Sequence, residues 1–589
     1  GEYLKNGDDN VFVGSKAGQG IDSGNIHSDK NIFIGGLAGA SHNGADGNVG
    51  IGYLALTFAR GEFSVAIGRS AGDHASGSYN TFVGGYAGQG GTTSAPYSSG
   101  EKNVAVGYEA LKAFTTGYRN TVLGYKAGVS LNSGYNNVLI GYEGGEGVTS
   151  GYENVVIGAN PSQANLQQST FIGFNAGKEG TANKAVGVGY RALGTGTLTS
   201  GADGTVAIGW EAGKAITSGG GNTTIGFKAG FTLADDSYNT FVGFQAGMMA
   251  EGGANAANVY IGYLAGYQVD DGVSNIAIGR EAMESSTAGG NDASYNVAIG
   301  DRTLESITDG DRNIAIGYEA GKSITTGNSN ISIGHAANDE TTTGGSNIAI
   351  GSDALAKNVA GSLLTAVGFN ALEYSGLRGG AAASIHAVGI GYVAGRYQTG
   401  SYNTFVGHFA GQGSQTSAPY GSGTGLTAVG AYALGNTKSG DFNTAVGYNA
   451  LGNNHSGSQN VAIGDRAAVG SRGTFANVAI GNTTMYSATT SERNVAIGHQ
   501  ALYTTTTGGG NIAIGYEVMR FSTGAENVSV GMDSMEQSGP ASLTVGIGSN
   551  AGRYATGSYN TFVGGYAGQG GTTSAPFIML LKLSRLEKE

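Results

Sequence analysis

One short motif recurs along the 589-residue chain and constrains its fold more than any other feature. In Asn313–Gly317 the motif reads Asn-Ile-Ala-Ile-Gly, and it begins again at Asn330 after a Thr-Thr-Gly turn. There are 32 such boxes between Gly14 and Gly564, and 17 of the 31 intervals between their closing glycines are 17 residues long. A fixed period at several positions marks a repeat architecture. The sequence therefore predicts one repeat array over residues 1–576, rather than the roughly four domains suggested by length.

The box is the candidate strand of this repeat. It is too short and too closely flanked by glycine for a helix, whereas its Val and Ile content is typical of a strand. Seventeen residues are enough for one turn of a narrow two- or three-sided coil whose turns stack about 4.8 Å apart. We therefore predict an all-β fold, a parallel β-solenoid (β-roll) with about 17 residues per turn, roughly 150 Å long if unbent.

Both faces of the predicted strand are apolar. Side chains alternate along a strand, so Ile314 and Ile316 share one face and Ala315 takes the other. We interpret the larger pair as the filling of the coil and the middle residue as a surface that needs a second cover. The simplest cover is other subunits, which predicts a homotrimer; the alternative is a single chain covered by its own loops. The middle residues expected at the trimer contact include Ala105, Ala298, Ala349 and Ala496.

Two further positions of the repeat suggest how the turns are held. Asparagine stands four residues before the closing glycine in 24 of the 32 boxes. Stacked turns place these residues one above the next, so we predict a hydrogen-bonded amide ladder with a structural role. Glycines ten residues after the box glycine, such as Gly117 and Gly327, are predicted to supply positive φ where the chain turns. Representative ladder residues are Asn103, Asn120, Asn313, Asn330, Asn494 and Asn511.

Composition excludes several classes of protein. Glycine is abundant (111 residues) but proline is scarce (5) and the period is not three, which excludes collagen. Only 12% of residues are charged and the net charge is −12, so we expect no nucleic-acid partner. Without cysteine, hydrogen bonds and stacking must hold the fold together. No segment approaches the ~20 apolar residues of a membrane helix, so we expect no membrane insertion. The chain begins at Gly1 without an initiator methionine, and we expect a processed or partial product.

Three copies of a longer cassette interrupt the repeat, near residues 77–100, 400–423 and 557–576. In the first two, the interval to the next box glycine grows to 23 residues, so six residues must leave the coil as a loop. Function tends to gather on loops that a rigid scaffold presents. An exposed tyrosine among hydroxyls suits a sugar face. The alternative is that the loops only absorb a change of register between segments of the coil. The candidate receptor-contact residues are Thr92, Tyr97, Ser98, Thr416, Tyr420 and Ser422.

The last thirteen residues, 577–589, lack the repeat. They contain no glycine and read as a short helical cap or tail with Leu580, Leu583 and Leu586 on one side. A capping helix, the start of a coiled coil and a reading-frame scar are equally compatible with this segment.

The residues that carry chemistry are scattered. We expect no catalytic, cofactor-binding or metal-binding residues, because the eight histidines lack metal-ligand spacing and the carboxylates are dispersed. A recurrent tyrosine follows the box glycine, and we interpret it as a buried or half-buried aromatic ladder rather than a sugar-stacking strip. The series includes Tyr53, Tyr108, Tyr125, Tyr142, Tyr263, Tyr318, Tyr448 and Tyr516.

The boxes, with their following Tyr-x-Ala-Gly/Leu and Thr-Thr-Gly turns, carry a resemblance to known repeats. The longer unit, as in Gly117–Leu139 and Gly508–Met519, resembles the shafts of bacteriophage tail fibres and related bacterial surface proteins. The box alone resembles the head repeat of trimeric autotransporter adhesins, which is a trimer of left-handed parallel β-rolls. The period here is longer than in that head, and we recognise no segment within residues 1–589 that resembles the adhesin stalk, the membrane anchor or the self-cleaving chaperone of many tail fibres.

This resemblance implies an elongated structural fibre that attaches to a cell surface, as a viral tail fibre or a surface adhesin. The implied location is extracellular, on a virion tail or a cell surface, and the implied partner is a cell-surface glycan or protein receptor. A polysaccharide-degrading β-solenoid enzyme is the alternative. An ice-binding solenoid needs one flat Thr-x-Thr face over many turns, and Thr341–Thr343 and Thr504–Thr507 are too local for that.

Overall fold

The computed structural model shows two compact units, Gly1–Tyr295 and Asn296–Glu589. Each unit contains sixteen strands of three residues, and every strand is one box of the sequence repeat. At about 4.8 Å per strand, each unit is about 70 Å long in the stacking direction. The structure describes residues 7–20, 28–58, 60–93, 96–161, 165–178, 180–194, 197–250, 256–285, 291–376, 386–413 and 420–570. The predicted helix at 577–589 lies outside these residues.

The strands of the first unit are β1 Val11–Val13, β2 Ile32–Ile34, β3 Val49–Ile51, β4 Val65–Ile67, β5 Thr81–Val83, β6 Val104–Val106, β7 Thr121–Leu123, β8 Val138–Ile140, β9 Val155–Ile157, β10 Thr170–Ile172, β11 Val186–Val188, β12 Val206–Ile208, β13 Thr223–Ile225, β14 Thr240–Val242, β15 Val259–Ile261 and β16 Ile276–Ile278. The only helix in the described part of the chain is a 3₁₀ turn at Ser200–Ala202.

The strands of the second unit are β17 Val297–Ile299, β18 Ile314–Ile316, β19 Ile331–Ile333, β20 Ile348–Ile350, β21 Thr365–Val367, β22 Val388–Ile390, β23 Thr404–Val406, β24 Thr427–Val429, β25 Thr444–Val446, β26 Val461–Ile463, β27 Val478–Ile480, β28 Val495–Ile497, β29 Ile512–Ile514, β30 Val528–Val530, β31 Val545–Ile547 and β32 Thr561–Val563.

Within each unit, every strand pairs in parallel with the next strand of the chain. The register is box on box: Val104 lies beside Thr121, and Val106 lies beside Leu123. The same alignment holds in the second unit, where Ile314 lies beside Ile331. The predicted parallel β-solenoid with one box per turn is therefore confirmed.

The orientation predicted for the box residues is wrong. Ala315 is completely buried in the chain's own core, whereas Ile314 and Ile316 are each 37% exposed. The four alanines expected at a trimer contact, Ala105, Ala298, Ala349 and Ala496, are likewise buried inside their own turns. The coil is so narrow that its interior accepts one inward side chain per strand, and the larger pair points outwards.

The residue six positions after the middle box residue also points into the interior, and it is small wherever the middle residue is phenylalanine. All seven boxes with a middle phenylalanine carry glycine six residues later, as in Phe82 and Gly88. A Cβ on Gly88 would lie 2.2 Å from the Phe82 ring. Where the middle residue is alanine, the later position often holds a buried Leu or Met, as in Ala105 and Leu111. The two positions thus compete for the same space, as expected for a close-packed interior.

Glycine is required where successive turns approach closely. A Cβ on Gly117 would lie 2.6 Å from the carbonyl oxygen of Gly134, and a Cβ on Gly327 would lie 2.4 Å from that of Gly344. Both glycines lie in described turns and neither has a positive φ, so the predicted reason for them is wrong. Positive φ comes instead from the box glycines and from ordinary residues such as Arg119 (φ 54°).

The shared volume predicts a coupled response to mutation in the turn of β5. Phe82→Ala should loosen this turn by leaving a cavity, typically about 3–5 kcal/mol for such a truncation. Gly88→Leu should also loosen it, by overpacking against the Phe82 ring. The double variant should recover much of the loss, because it recreates the Ala105 and Leu111 pairing.

Hydrogen–deuterium exchange of peptides covering residues 78–93 measures this local stability. The expected result is fast exchange in both single variants and slower exchange in the double variant. If the two effects simply add, the volumes are independent and the packing rule is incorrect.

Candidate interaction surfaces

The asparagines of the predicted ladder are linked from turn to turn. Asn120 donates from its backbone N to Asn103 Oδ1 at 3.0 Å, and from Nδ2 to the same oxygen at 3.0 Å. Asn120 Nδ2 also donates to the Gly134 carbonyl at 2.9 Å, at the far end of the same turn. The links from Asn313 to Asn330 and from Asn494 to Asn511 have the same form.

Burial restricts what this ladder can do. Its six representative members have no exposed surface. A buried amide must be paired to avoid a desolvation penalty, and each of these has partners on its own turn and the adjacent one. The amides therefore hold the turns together and offer no atoms to a receptor.

The first inserted loop is docked onto the coil. The Tyr97 ring is half-buried and stacks on Phe58 at 4.6 Å, while Arg60 Cζ lies 5.2 Å from its centroid. Ser98 is buried, pairs with Ala75 in a parallel bridge, and accepts a bond from the Gly91 backbone N through Oγ at 3.1 Å. Thr92 is half-buried and donates from Oγ1 to the Pro96 carbonyl. The expectation of a free, exposed tyrosine ring is wrong for this loop.

The second inserted loop shows the same docking. Tyr420 is half-buried and stacks on Tyr374 at 5.1 Å, and it lies parallel to Tyr397 at 6.1 Å. Ser422 is exposed, and its backbone N donates to the Lys438 carbonyl at 2.6 Å. Thr416 lies outside the described residues. Both loop tyrosines therefore act as anchors for the return of the chain to the coil.

The tyrosines that follow the box glycine stack as a ladder. Tyr108 and Tyr125 lie 5.6 Å apart, and Tyr125 and Tyr142 lie 5.3 Å apart, with nearly parallel rings. The predicted burial is wrong, because Tyr125 in the middle of this stack is 43% exposed. Neighbouring rings cover both of its faces and leave its edge to solvent. A sugar that needs a free ring face therefore finds none within the stack.

The outward strand residues form a uniform surface feature, called here the aliphatic row although ten of its first positions are threonine. In all 32 described strands the third residue is Val, Ile or Leu, and the first is Val, Ile or Thr. No charged residue interrupts this aliphatic row within the described strands. The sequence contains the signal for this row, since the residues on either side of the middle box residue are never charged. The wrong assignment of the two strand faces concealed it.

An unexpected carboxyl group lies inside a corner of the first unit. Asp236 stands fourteen residues after Asn222, where other turns carry glycine, and its carbonyl accepts a bond from Asn222 Nδ2 at 2.6 Å. Its side chain is buried, and neither carboxyl oxygen has a hydrogen-bond partner. Burial, with the nearby charges of Asp235 and Asp271, raises the pKa of Asp236 to about 7. Asp235, Asp236 and Asp271 thus lie closer together than their sequence positions suggest. Asp236 is buried, however, so a substrate cannot reach its carboxyl group.

Comparison with known proteins does not add an assignment. No protein-family model matches the sequence, and a search of curated proteins finds no match. Among the described residues, no helix is long and apolar enough to cross a membrane. Within either unit taken alone, no three described His, Asp or Glu side chains bring ligand atoms within 4.8 Å of one another.

The buried Asp236 predicts a measurable pH dependence. An unfolded chain loses this proton near pH 3.8, whereas the folded chain keeps it until about pH 7. The folded state therefore binds more protons in this window, and its stability falls as pH rises, by at most about 1.4 kcal/mol per pH unit. Asp236→Asn should remove this loss. The melting temperature of the variant, relative to that of the parent protein, should therefore rise between about pH 4 and pH 7.

Asp235→Asn is the matched control, because the neighbouring Asp235 is exposed. Its melting temperature should keep most of the parent's fall with pH, because burial, the largest cause of the raised pKa of Asp236, is unchanged and only the smaller contribution of the Asp235 charge is removed. Parallel curves for Asp236→Asn and the parent protein would show that Asp236 titrates normally.

Proposed function

We propose that the chain forms the shaft of a homotrimeric extracellular attachment fibre, a viral tail fibre or a surface adhesin. The observation that carries the proposal is the aliphatic row on the outward face of the strands. The stacked turns supply a stiff support, and the resemblance of the repeats to tail-fibre shafts and adhesin heads supports the attachment role. No catalytic step belongs to this proposal.

The aliphatic row needs a cover. Parallel sheets are normally buried on both faces, and one face here is the chain's own core while the other is the row. The row has two outward residues on each of sixteen strands in one unit. Its exposed surface is therefore larger than the apolar patch of a few hundred Å² that is typical of a monomer. Its residues also match the roughly 20–30 residues that one partner gives to a standard interface. A second and a third copy of the same chain supply a surface of the same length, spacing and chemistry.

The number three rests on the resemblance to trimeric heads and shafts. Two rows face to face would also bury each other, so a dimer is the competing assembly. In either assembly the contact is formed by the flanking residues of the box, such as Ile314 and Ile316, and not by the middle alanine.

The alternative of a polysaccharide-degrading enzyme needs two accessible carboxyl groups beside one glycosidic bond. The raised pKa of Asp236 superficially suits a general acid. However, this carboxyl group is buried in a corner of the coil, so it gives the enzymatic alternative no support.

The aliphatic row predicts a specific assembly defect. Glutamates at Ile314 and Ile316 project into solvent in a lone chain, but they enter a desolvated contact in an assembly. The double variant Ile314→Glu/Ile316→Glu should therefore keep its circular dichroism spectrum and elute as a smaller species in size-exclusion chromatography. Its retention on cells or on a glycan array should fall with it, because linked binding sites lose avidity when they separate.

Thr326→Glu/Ser329→Glu is the matched control. It adds the same charge at two exposed positions that lie between this strand and the next one. This variant should assemble and attach like the parent protein. Unchanged assembly of the Ile314/Ile316 variant would contradict the proposed contact. Failure of the parent protein to bind any cell or glycan would contradict the attachment role.

A further inference from the structure

A polar cavity of about 290 Å³ lies where the first inserted loop rejoins the coil. Ser99 and Gly100 end the loop and form one side, and residues of the two following turns complete it. The turns are fixed here by the Gly100 backbone N, which donates to the Thr115 carbonyl at 3.1 Å, and by the Arg119 backbone N, which donates to the Glu101 carbonyl at 2.9 Å. The side chains that line the cavity are Ser99, Glu101, Lys102, Thr116, Tyr118 and Arg119.

The cavity contains the end of an aromatic stack. Tyr118, Tyr135 and Tyr152 lie 5.0 Å apart in succession, with rings parallel to within 4°. In the preceding turn the equivalent position is Glu101, so no ring of the described residues stacks on the outer face of Tyr118. This ring is 39% exposed, and Arg119 Cζ lies 5.7 Å from its centroid. The doubly stacked Tyr125 is 43% exposed, so exposure alone does not distinguish Tyr118; the difference is that an aromatic ring stacks on only one face of Tyr118. Another flat group can pack on the other face.

The cavity also gathers unneutralised positive charge. Lys102 and Arg119 are both exposed, and each directly precedes a ladder asparagine, Asn103 and Asn120. Neither forms an ion pair with a carboxylate of the described residues. They outnumber the single carboxylate of Glu101, on a chain whose net charge is −12. An anion is thus favoured here, against the sign of the whole protein.

We propose that this cavity binds an acidic saccharide, with the sugar ring on the outer face of Tyr118. Lys102 and Arg119 bind the carboxylate or sulfate of the sugar through charge-assisted hydrogen bonds. The hydroxyls of Ser99 and Thr116 and the carboxylate of Glu101 bond to sugar hydroxyl groups. This proposal rests on the attachment function proposed above and names the class of receptor for one site.

The second inserted loop provides an internal comparison. The same loop end, Ser422 and Gly423, is followed by Thr424 and Gly425 in place of Glu101 and Lys102. In the next turn, Asp441 and Phe442 replace Tyr118 and Arg119. The second loop therefore lacks both cations and carries an acid where the first has its stacking ring. We assign acidic-saccharide binding to the first loop alone.

The test uses the full chain and two oligosaccharides of equal length, a hyaluronan tetrasaccharide and the neutral chitotetraose. Isothermal titration at low and moderate salt should show saturable binding of hyaluronan that weakens with salt, and at least tenfold weaker binding of chitotetraose. Lys102→Gln/Arg119→Gln and, separately, Tyr118→Leu should each weaken hyaluronan binding at least tenfold. Excess inorganic sulfate should compete if the charge alone is recognised, and a weak effect of sulfate would show that the sugar ring contributes.

Arg493→Gln is the matched control, because Arg493 occupies the position of Arg119 in a later turn with a similar φ of 56°. It should bind hyaluronan like the parent protein. The proposal is overturned if hyaluronan does not bind, or if its binding is unaffected by the Lys102/Arg119 and Tyr118 substitutions. Cell attachment that survives those substitutions would leave the attachment function intact and reject only this site.

Discussion

The hydrogen bonding of most turns to the next through a buried asparagine is the interaction on which much of the structure depends. The asparagine oxygen accepts from the next turn, while its Nδ2 closes its own turn on a backbone carbonyl. The boxes without asparagine show which contacts remain. Leu364 has no side-chain amide, yet its backbone N still donates to Asn347 Oδ1 at 3.0 Å. A serine at position 64 keeps both roles in weaker form, since Ser64 Oγ accepts from the Asn80 backbone N at 3.2 Å and donates to the Gly77 carbonyl at 3.5 Å.

The short distance between turns dictates most of the remaining sequence. Glycine is needed where a carbonyl of the next turn occupies the space of a Cβ, as at Gly117. The narrow interior limits each turn to a small set of side-chain combinations, of which Phe82 with Gly88 and Ala105 with Leu111 are two. Larger side chains must then point outwards. The exposed aliphatic row and the stacked tyrosines are therefore consequences of the same narrow coil.

The period, the strands and their parallel order could be predicted from the sequence, because a 17-residue repeat leaves few ways to pair identical boxes. The face of Ala315 could not be predicted from alternation alone, since alternation separates the two faces without saying which is inside. The pairing of every middle phenylalanine with a glycine six residues later carried that information. Two residues that exchange volume must share an enclosed space. The docking of Tyr97 onto the coil and the burial of Asp236 could not be predicted either. Each depends on how the chain bends at its own corner, which the repeat pattern does not encode.

The central claim of this account is that a single chain leaves one face of its strands uncovered and that copies of the chain cover it. The mass of the intact, untagged full chain at micromolar concentration, measured by sedimentation velocity or native mass spectrometry, tests this claim most directly. The account predicts three times the 58.9 kDa of one chain. Twice that mass would keep the covered face but reject the trimer. A stable species of 58.9 kDa would contradict the claim itself.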